Sequence, residues 1–168
     1  VRVDTANPGI TLVSPVGIPY VSGLSTLATS FTATDPESGV ASVAIKVGSN
    51  NFASPDATLG APTTGTTANG TWNLSIPAAA INAMLEGQRD VYVRVTDVVG
   101  KSTIISFPII VDKTNPSAAF TLPASTGTVN KLITVKGTGS DKQSLSSVVV
   151  TVQTGASTWT TLGTFANE

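Results

Sequence analysis

Almost every side chain in this sequence that could do chemistry is a carboxylate set in a turn. Asp4 stands in VRVDTANP, Asp35 and Glu37 in TDPESGV, Asp97 in VTDVVGK, Asp112 in IIVDKTNP and Asp141 in GSDKQS. These stretches mix acids with Gly, Pro, Asn or Ser, which build turns by adopting special backbone angles or by bonding their own backbone. Oxygen donors of this kind suit a hard cation, and calcium takes six to eight oxygens, several of them carboxylate. No D-x-D-x-D-G loop is present, so a site has to be assembled from several turns. The same carboxylates have a plainer use, in which each bonds its own turn and holds nothing else.

Other chemistries have little to work with. The chain has no Cys and no His. That removes disulfides, thiolate nucleophiles, the commonest general base and the commonest transition-metal ligand. No G-x-S-x-G, phosphate-binding loop or dinucleotide fingerprint occurs. Catalysis would need a chance pair of carboxylates, and the sequence is read as non-enzymatic, with no required cofactor. Nine basic residues are scattered and the net charge is −1, which leaves no electrostatic footprint for nucleic acid. No apolar run reaches the roughly 20 residues that cross a bilayer. Among the aromatics, Tyr92 and Trp159 are the candidates for stacking on a surface glycan, whereas Trp72 shares a face with Leu74 and Ile76 and is expected in the core.

The elements that must position these groups are strands. Alternation with period two recurs in FTATD, SVAIKV, TWNLSI and DVYVRVTD, where Phe31 and Ala33, then Val43, Ile45 and Val47, then Trp72, Leu74 and Ile76, then Val91, Val93 and Val95 each share a face. β-Branched residues dominate, as a half-buried pleated surface favours. Lys46 alternates out of phase with Ile45 and Val47 and is expected to face outward. One helical segment is predicted, in PAAAINAMLEG, with Pro77 in the first turn and Gly87 at the end. About seven short strands, followed by a partial second set, indicate an all-β antiparallel sandwich.

The second set repeats the first. Val3, Asp4, Asn7 and Pro8 recur as Val111, Asp112, Asn115 and Pro116. Asp35 recurs as Asp141, Val43 as Val148, and Thr58-Leu59-Gly60 as Thr161-Leu162-Gly163. The offset shrinks slowly along the chain, as small loop deletions in a shared fold produce. This places one module at residues 1–110 and the first half of a second at 111–168. Counterparts of TWNLSIP, DVYVRVTD and STIISFPIIV are not found in the second set. Half a sandwich leaves strand edges unpaired, so the expectation is that further polypeptide, from this chain or another, completes it.

These residues resemble tandem bacterial Ig-like modules. Such modules close with an A-T-D-x-x-G-N hairpin and a last strand, and V-D-x-T-x-P then opens the next. Here the hairpin is Val95-Thr96-Asp97-Val98-Val99-Gly100-Lys101, with Lys101 where Asn is usual, and the junction is Val111, Asp112, Lys113, Thr114, Asn115 and Pro116. DPESGVASV matches the D-x-x-S-G-V-x-S-V that follows the second strand. The resemblance covers the first module and the front of the second. It implies that the first-module turns bearing Asp4, Asp35, Glu37 and Asp97 gather at one end of a sandwich, with Asp112 and Asp141 in the matching places of the second, and that calcium can stiffen such junctions. Pro116 and the extended residue before it keep the crossing stiff. The expected role is a non-catalytic, extracellular or cell-surface stalk in an adhesin-type protein, with neighbouring modules as its partners. Two alternatives are a filament subunit whose incomplete sandwich accepts a strand from a neighbour, and an accessory carbohydrate-binding module of a secreted enzyme. A shared fold does not choose among them.

Overall fold

The alternating segments do form strands in the computed structural model, which describes residues 3–122 and 134–166. The chain divides into two units, Val1–Lys113 and Thr114–Glu168. Unit 1 contains β1 (Gly9–Ser14), β2 (Tyr20–Val21), β3 (Leu27–Thr34), β4 (Val40–Val47), β5 (Ala57–Leu59), β6 (Thr64–Gly65), β7 (Asn69–Ile76), a short helix α1 (Ala78–Asn82), β8 (Gly87–Asp97) and β9 (Ser102–Val111). One sheet has the order β1-β3-β7-β6 and the other β2-β9-β8-β4-β5. The pairings are antiparallel except for β2 against β9.

The core lies between these sheets and is made by the predicted faces. Phe31, Ala33, Trp72, Leu74 and Ile76 come from one sheet, and Val43, Ile45, Val47, Val91, Val93 and Val95 from the other. Phe107, Ile109 and Val111 of β9 add to it, and the Phe31 and Phe107 rings meet at 6.4 Å between centroids. Trp72 is fully buried. Hiding roughly 200 Å² of its surface is worth about 5 kcal/mol at 25 cal/mol/Å². Buried Thr29 is satisfied, since its hydroxyl donates to the Leu74 carbonyl at 2.8 Å.

Register fixes two poles of unit 1. Gly9 faces Thr34, Val40 faces Asp97 and Ser102 faces Thr96, which places the start of β1, the turn after β3 and the β8–β9 hairpin together. The opposite pole holds the start of β8 and the end of β9, where Gly87 faces Val111. Eleven residues of β8 separate the poles, about 33 Å at the rise of a strand.

Several details differ from the sequence reading. Pro77 is extended (φ −62°, ψ 140°) and precedes the helix, which stops at Asn82. Gly87, expected to end that helix, opens β8 with φ +97°. β9 runs through Val111, and the Asp112 N–H still donates to the Val21 carbonyl at 2.9 Å. Thus Val111 and Asp112, expected in the junction, belong to unit 1, while Thr114, Asn115 and Pro116 lead to the first strand of unit 2. Phe52, in the irregular segment between β4 and β5, is buried with the Arg94 guanidinium 4.7 Å above its ring.

Unit 2 contains β10 (Ser117–Leu122), β11 (Lys136–Ser140), β12 (Ser147–Gln153) and β13 (Trp159–Ala166). β10 pairs with β11 and β12 with β13, in two antiparallel ladders. By the repeat, β11 matches β3 and β12 matches β4. Those two strands of unit 1 are paired on both edges, whereas among the described residues β11 and β12 are each paired on one. No described residue of unit 2 is fully buried.

Candidate metal centre

Three turns of unit 1 converge at the first pole, and each aims one carboxylate inward. After β3 the chain turns through Asp35-Pro36-Glu37-Ser38-Gly39. Asp35 Oδ1 accepts the N–H groups of Glu37 (3.0 Å), Ser38 (2.8 Å) and Gly39 (3.0 Å). Gly39 sits at φ +89°, where a side chain is strained. The β8–β9 hairpin is closed by Asp97, whose Oδ1 accepts the Lys101 N–H at 2.8 Å while its own N–H donates to the Lys101 carbonyl at 3.0 Å. Asp4 lies in the segment before β1. Its Oδ1 accepts from the Ala6 N–H and from Lys101 Nζ, both at 3.2 Å, and Lys101 Nζ also donates to the Asp4 carbonyl. Glu37 ties the same segment down, as its Oε2 accepts the N–H groups of Thr5 (2.6 Å) and Ala6 (3.2 Å).

In all three aspartates these bonds use Oδ1. The Oδ2 atoms of Asp4, Asp35 and Asp97 are buried and carry no hydrogen bond. Asp35 and Asp97 are only 1% exposed, and the Asp4 side chain 5%. An unsatisfied buried carboxylate oxygen is costly, so three of them in one place call for a partner. One carboxylate oxygen from each residue lies within 4.8 Å of the other two. Oxygens sharing a calcium ion at 2.3–2.6 Å are at most about 5 Å apart, so the spacing fits. The three carboxylates concentrate negative charge, which the Lys101 ammonium on Asp4 offsets in part. The Asp4 carboxyl is held below its ordinary pKa, first by the Ser38 hydroxyl beside it, against the upward push of burial, and then by Lys101 and Glu37. Ser38 Oγ, like Asp4 Oδ2, is buried without a well-formed hydrogen bond.

Of the six acids singled out in the sequence, the structure gathers these three. Glu37 is next to them but spends its carboxylate on Thr5 and Ala6. Asp112 follows the end of β9 and lies at the opposite pole. Asp141 belongs to unit 2, where its Oδ1 accepts the N–H groups of Gln143 (2.8 Å) and Ser144 (3.0 Å), the turn Asp35 makes in unit 1. The contact of Lys101 with Asp4 was not anticipated. Its one trace in the sequence is a lysine where the resemblance leads one to expect asparagine. Tyr92 is half-buried on β8 beside Lys46 and Ser106, and Trp159 is exposed on β13 of the other unit. Lys46 does point off the core face, paired with Asp56 at 2.9 Å.

No known family model matches the chain, and no curated protein is significantly similar to it. Among solved structures it is similar to the fibronectin(III)-like modules of Clostridium thermocellum CbhA, at 16% identity over 95% of this chain and 74% of that one, with a TM-score of 0.40. It is also similar to a mutant of the SrpA adhesin from Streptococcus sanguinis, at 20% identity over 68% of this chain, again with a TM-score of 0.40. The chain spans 64% of the adhesin's length. Among the described residues, no helix is long and apolar enough to cross a membrane.

Proposed function

We propose that the chain is a non-catalytic stalk segment of a secreted or surface-anchored prokaryotic protein, in which β-sandwich modules are joined end to end and hold other domains at a distance. One observation carries this reading. The polypeptide enters the sandwich of unit 1 at one pole and leaves it about 33 Å away at the other, where Lys113 is held by Glu86 Oε1 and by the Asn82 and Met84 carbonyls. A module threaded from pole to pole adds length with each copy. Calcium held by Asp4, Asp35 and Asp97 would tie the incoming segment to the β3–β4 turn and the β8–β9 hairpin, and so stiffen the approach to the module.

Small-angle scattering of the whole chain tests the stalk reading, together with a glycan array. The expected result is an elongated particle, longer in calcium than in EGTA or equally long, with no glycan retained. A folded-back particle, or glycan binding abolished by Tyr92→Ala, overturns it in favour of an accessory binding module.

Unit 2 favours a second reading. Phe120, Trp159 and Phe165 are exposed, and an open cleft of about 530 Å³ is lined by Phe120, Val135, Val148, Val150 and Phe165. A strand supplied by a neighbouring copy would cover this apolar surface and pair the edges of β11 and β12 that no described strand pairs. Sedimentation showing reversible, concentration-dependent association supports it; a monomer at all concentrations does not.

A further inference from the structure

We propose that Lys101 is a built-in competitor for the cation at the acidic pole, so that Asp4 is held by the Lys101 ammonium or by a divalent ion, but not by both. This rests on the metal reading above. The three free Oδ2 atoms, two of them on aspartates 1% exposed, mark where an ion is received. Lys101 has its ammonium on the other oxygen of one of these carboxylates, and on the backbone carbonyl of the same residue. An ion on Asp4 Oδ2 therefore comes within a few ångströms of a like charge, at a distance where repulsion is strong in a partly buried site.

The lysine is built to yield. Its backbone N–H is fixed by Asp97 Oδ1, so the main chain stays in place. Its side chain is 31% exposed, which gives the flexible stem a route to water. When the ion arrives and the ammonium swings out, the Asp4 carbonyl is released and Oδ1 keeps only the Ala6 N–H, which offers up to two further oxygen donors and brings the count nearer to what calcium takes. When the ion leaves, the ammonium returns and keeps Asp4 on the hairpin. The pole therefore stays closed at low calcium, and its affinity is set by the ammonium that must first be displaced.

The test is calcium titration by calorimetry on the full chain and on Lys101→Met, which keeps the stem and removes the charge, with Lys101→Arg as the charged control. Lys101→Met is expected to bind at least tenfold more tightly than the parent, about 1.4 kcal/mol, and Lys101→Arg no more tightly. In the parent, acetylation of the Lys101 amine, read by peptide mass spectrometry, is expected to speed up several-fold at saturating calcium, while Lys46, paired with Asp56, does not change. Calcium binding of equal strength in the parent and Lys101→Met overturns the competition and leaves the site standing, as does a Lys101 amine indifferent to bound calcium. No binding by any of the three at 10 mM calcium, an excess over the weakest extracellular sites, overturns the site and the competition together.

Discussion

Asp97→Asn should have opposite effects with and without calcium. Asp35 and Asp97 are both 1% exposed, and a carboxylate oxygen of each lies within 4.8 Å of the other. At an effective dielectric of 20, two unit charges at that separation repel by about 3 kcal/mol. The substituted side chain would keep an oxygen to accept the Lys101 N–H and present an amide N–H₂ donor to the free carboxylate oxygens. Part of the relief is returned, because the neutral amide is a weaker acceptor than a carboxylate. A net stabilisation of about 1 kcal/mol in EGTA is expected, raising the Tm of unit 1 by roughly 4–8 °C. In calcium at 100 times its Kd the parent gains about 2.7 kcal/mol that the variant lacks, and the order of stability inverts. Tryptophan fluorescence during thermal melts reads this out in a Trp159→Phe background, which leaves Trp72, in the core of unit 1, as the reporter. If Asp97→Asn is less stable than the parent by the same amount in both buffers, the carboxylate is a plain turn-capping group and the reasoning fails.

Three further outcomes are expected. Trp72→Ala should cost about 3–5 kcal/mol, as truncation of a fully buried tryptophan does, and urea unfolding of unit 1 should shift to match; a loss under 1 kcal/mol would mean the two sheets do not close over it. The Asp4 carboxyl has a folded-state pKa below its ordinary 3.8, so its stabilisation is complete above that value and fades as pH falls through the lower folded one; urea midpoints followed from pH 6 to pH 2 should decline more steeply in the parent than in Asp4→Asn. Gly65 has φ +86°, and an added Cβ would lie 2.7 Å from the Asn69 carbonyl oxygen and 2.8 Å from Gly70 Cα, so Gly65→Ala should lower the Tm of unit 1, and an unchanged Tm would contradict the tight β6–β7 turn.

The faces of β3, β4, β7 and β8 were legible because each runs at least eight residues, long enough for the period of two to stand out from composition. β2 and β6 have two residues each and β5 three, too few to carry any period. They are held in place by their neighbours. Phe52 sits between β4 and β5, outside any alternating run, and is buried with Arg94 over its ring. The acids divided in the same way. Asp35 and Asp97 could be read as turn-makers from the residues beside them, and the order of the strands brought them near Asp4. The free Oδ2 atoms depend on which oxygen each turn consumes, which no spacing reveals. The ammonium on Asp4 comes from a residue 97 positions away, and a contact of that range is decided by packing at the pole.

The single parallel pairing in unit 1 has a mechanical consequence. Tyr20 and Val21 of β2 run alongside Ile110 and Val111 of β9, with Ile110 N–H bonded to the Pro19 carbonyl and Asp112 N–H to the Val21 carbonyl, both at 2.9 Å. Tension applied through the two ends of unit 1 is met first by β1 on its ladder with β3, and once it reaches β2 it draws β2 and β9 in opposite directions along their length. The bonds between them, and the β8–β9 ladder beside them, are then strained together in shear instead of parting one after another like a zipper. A sandwich strung from pole to pole in this way resists pulling along the line of the chain and yields far more easily to a peeling force across it.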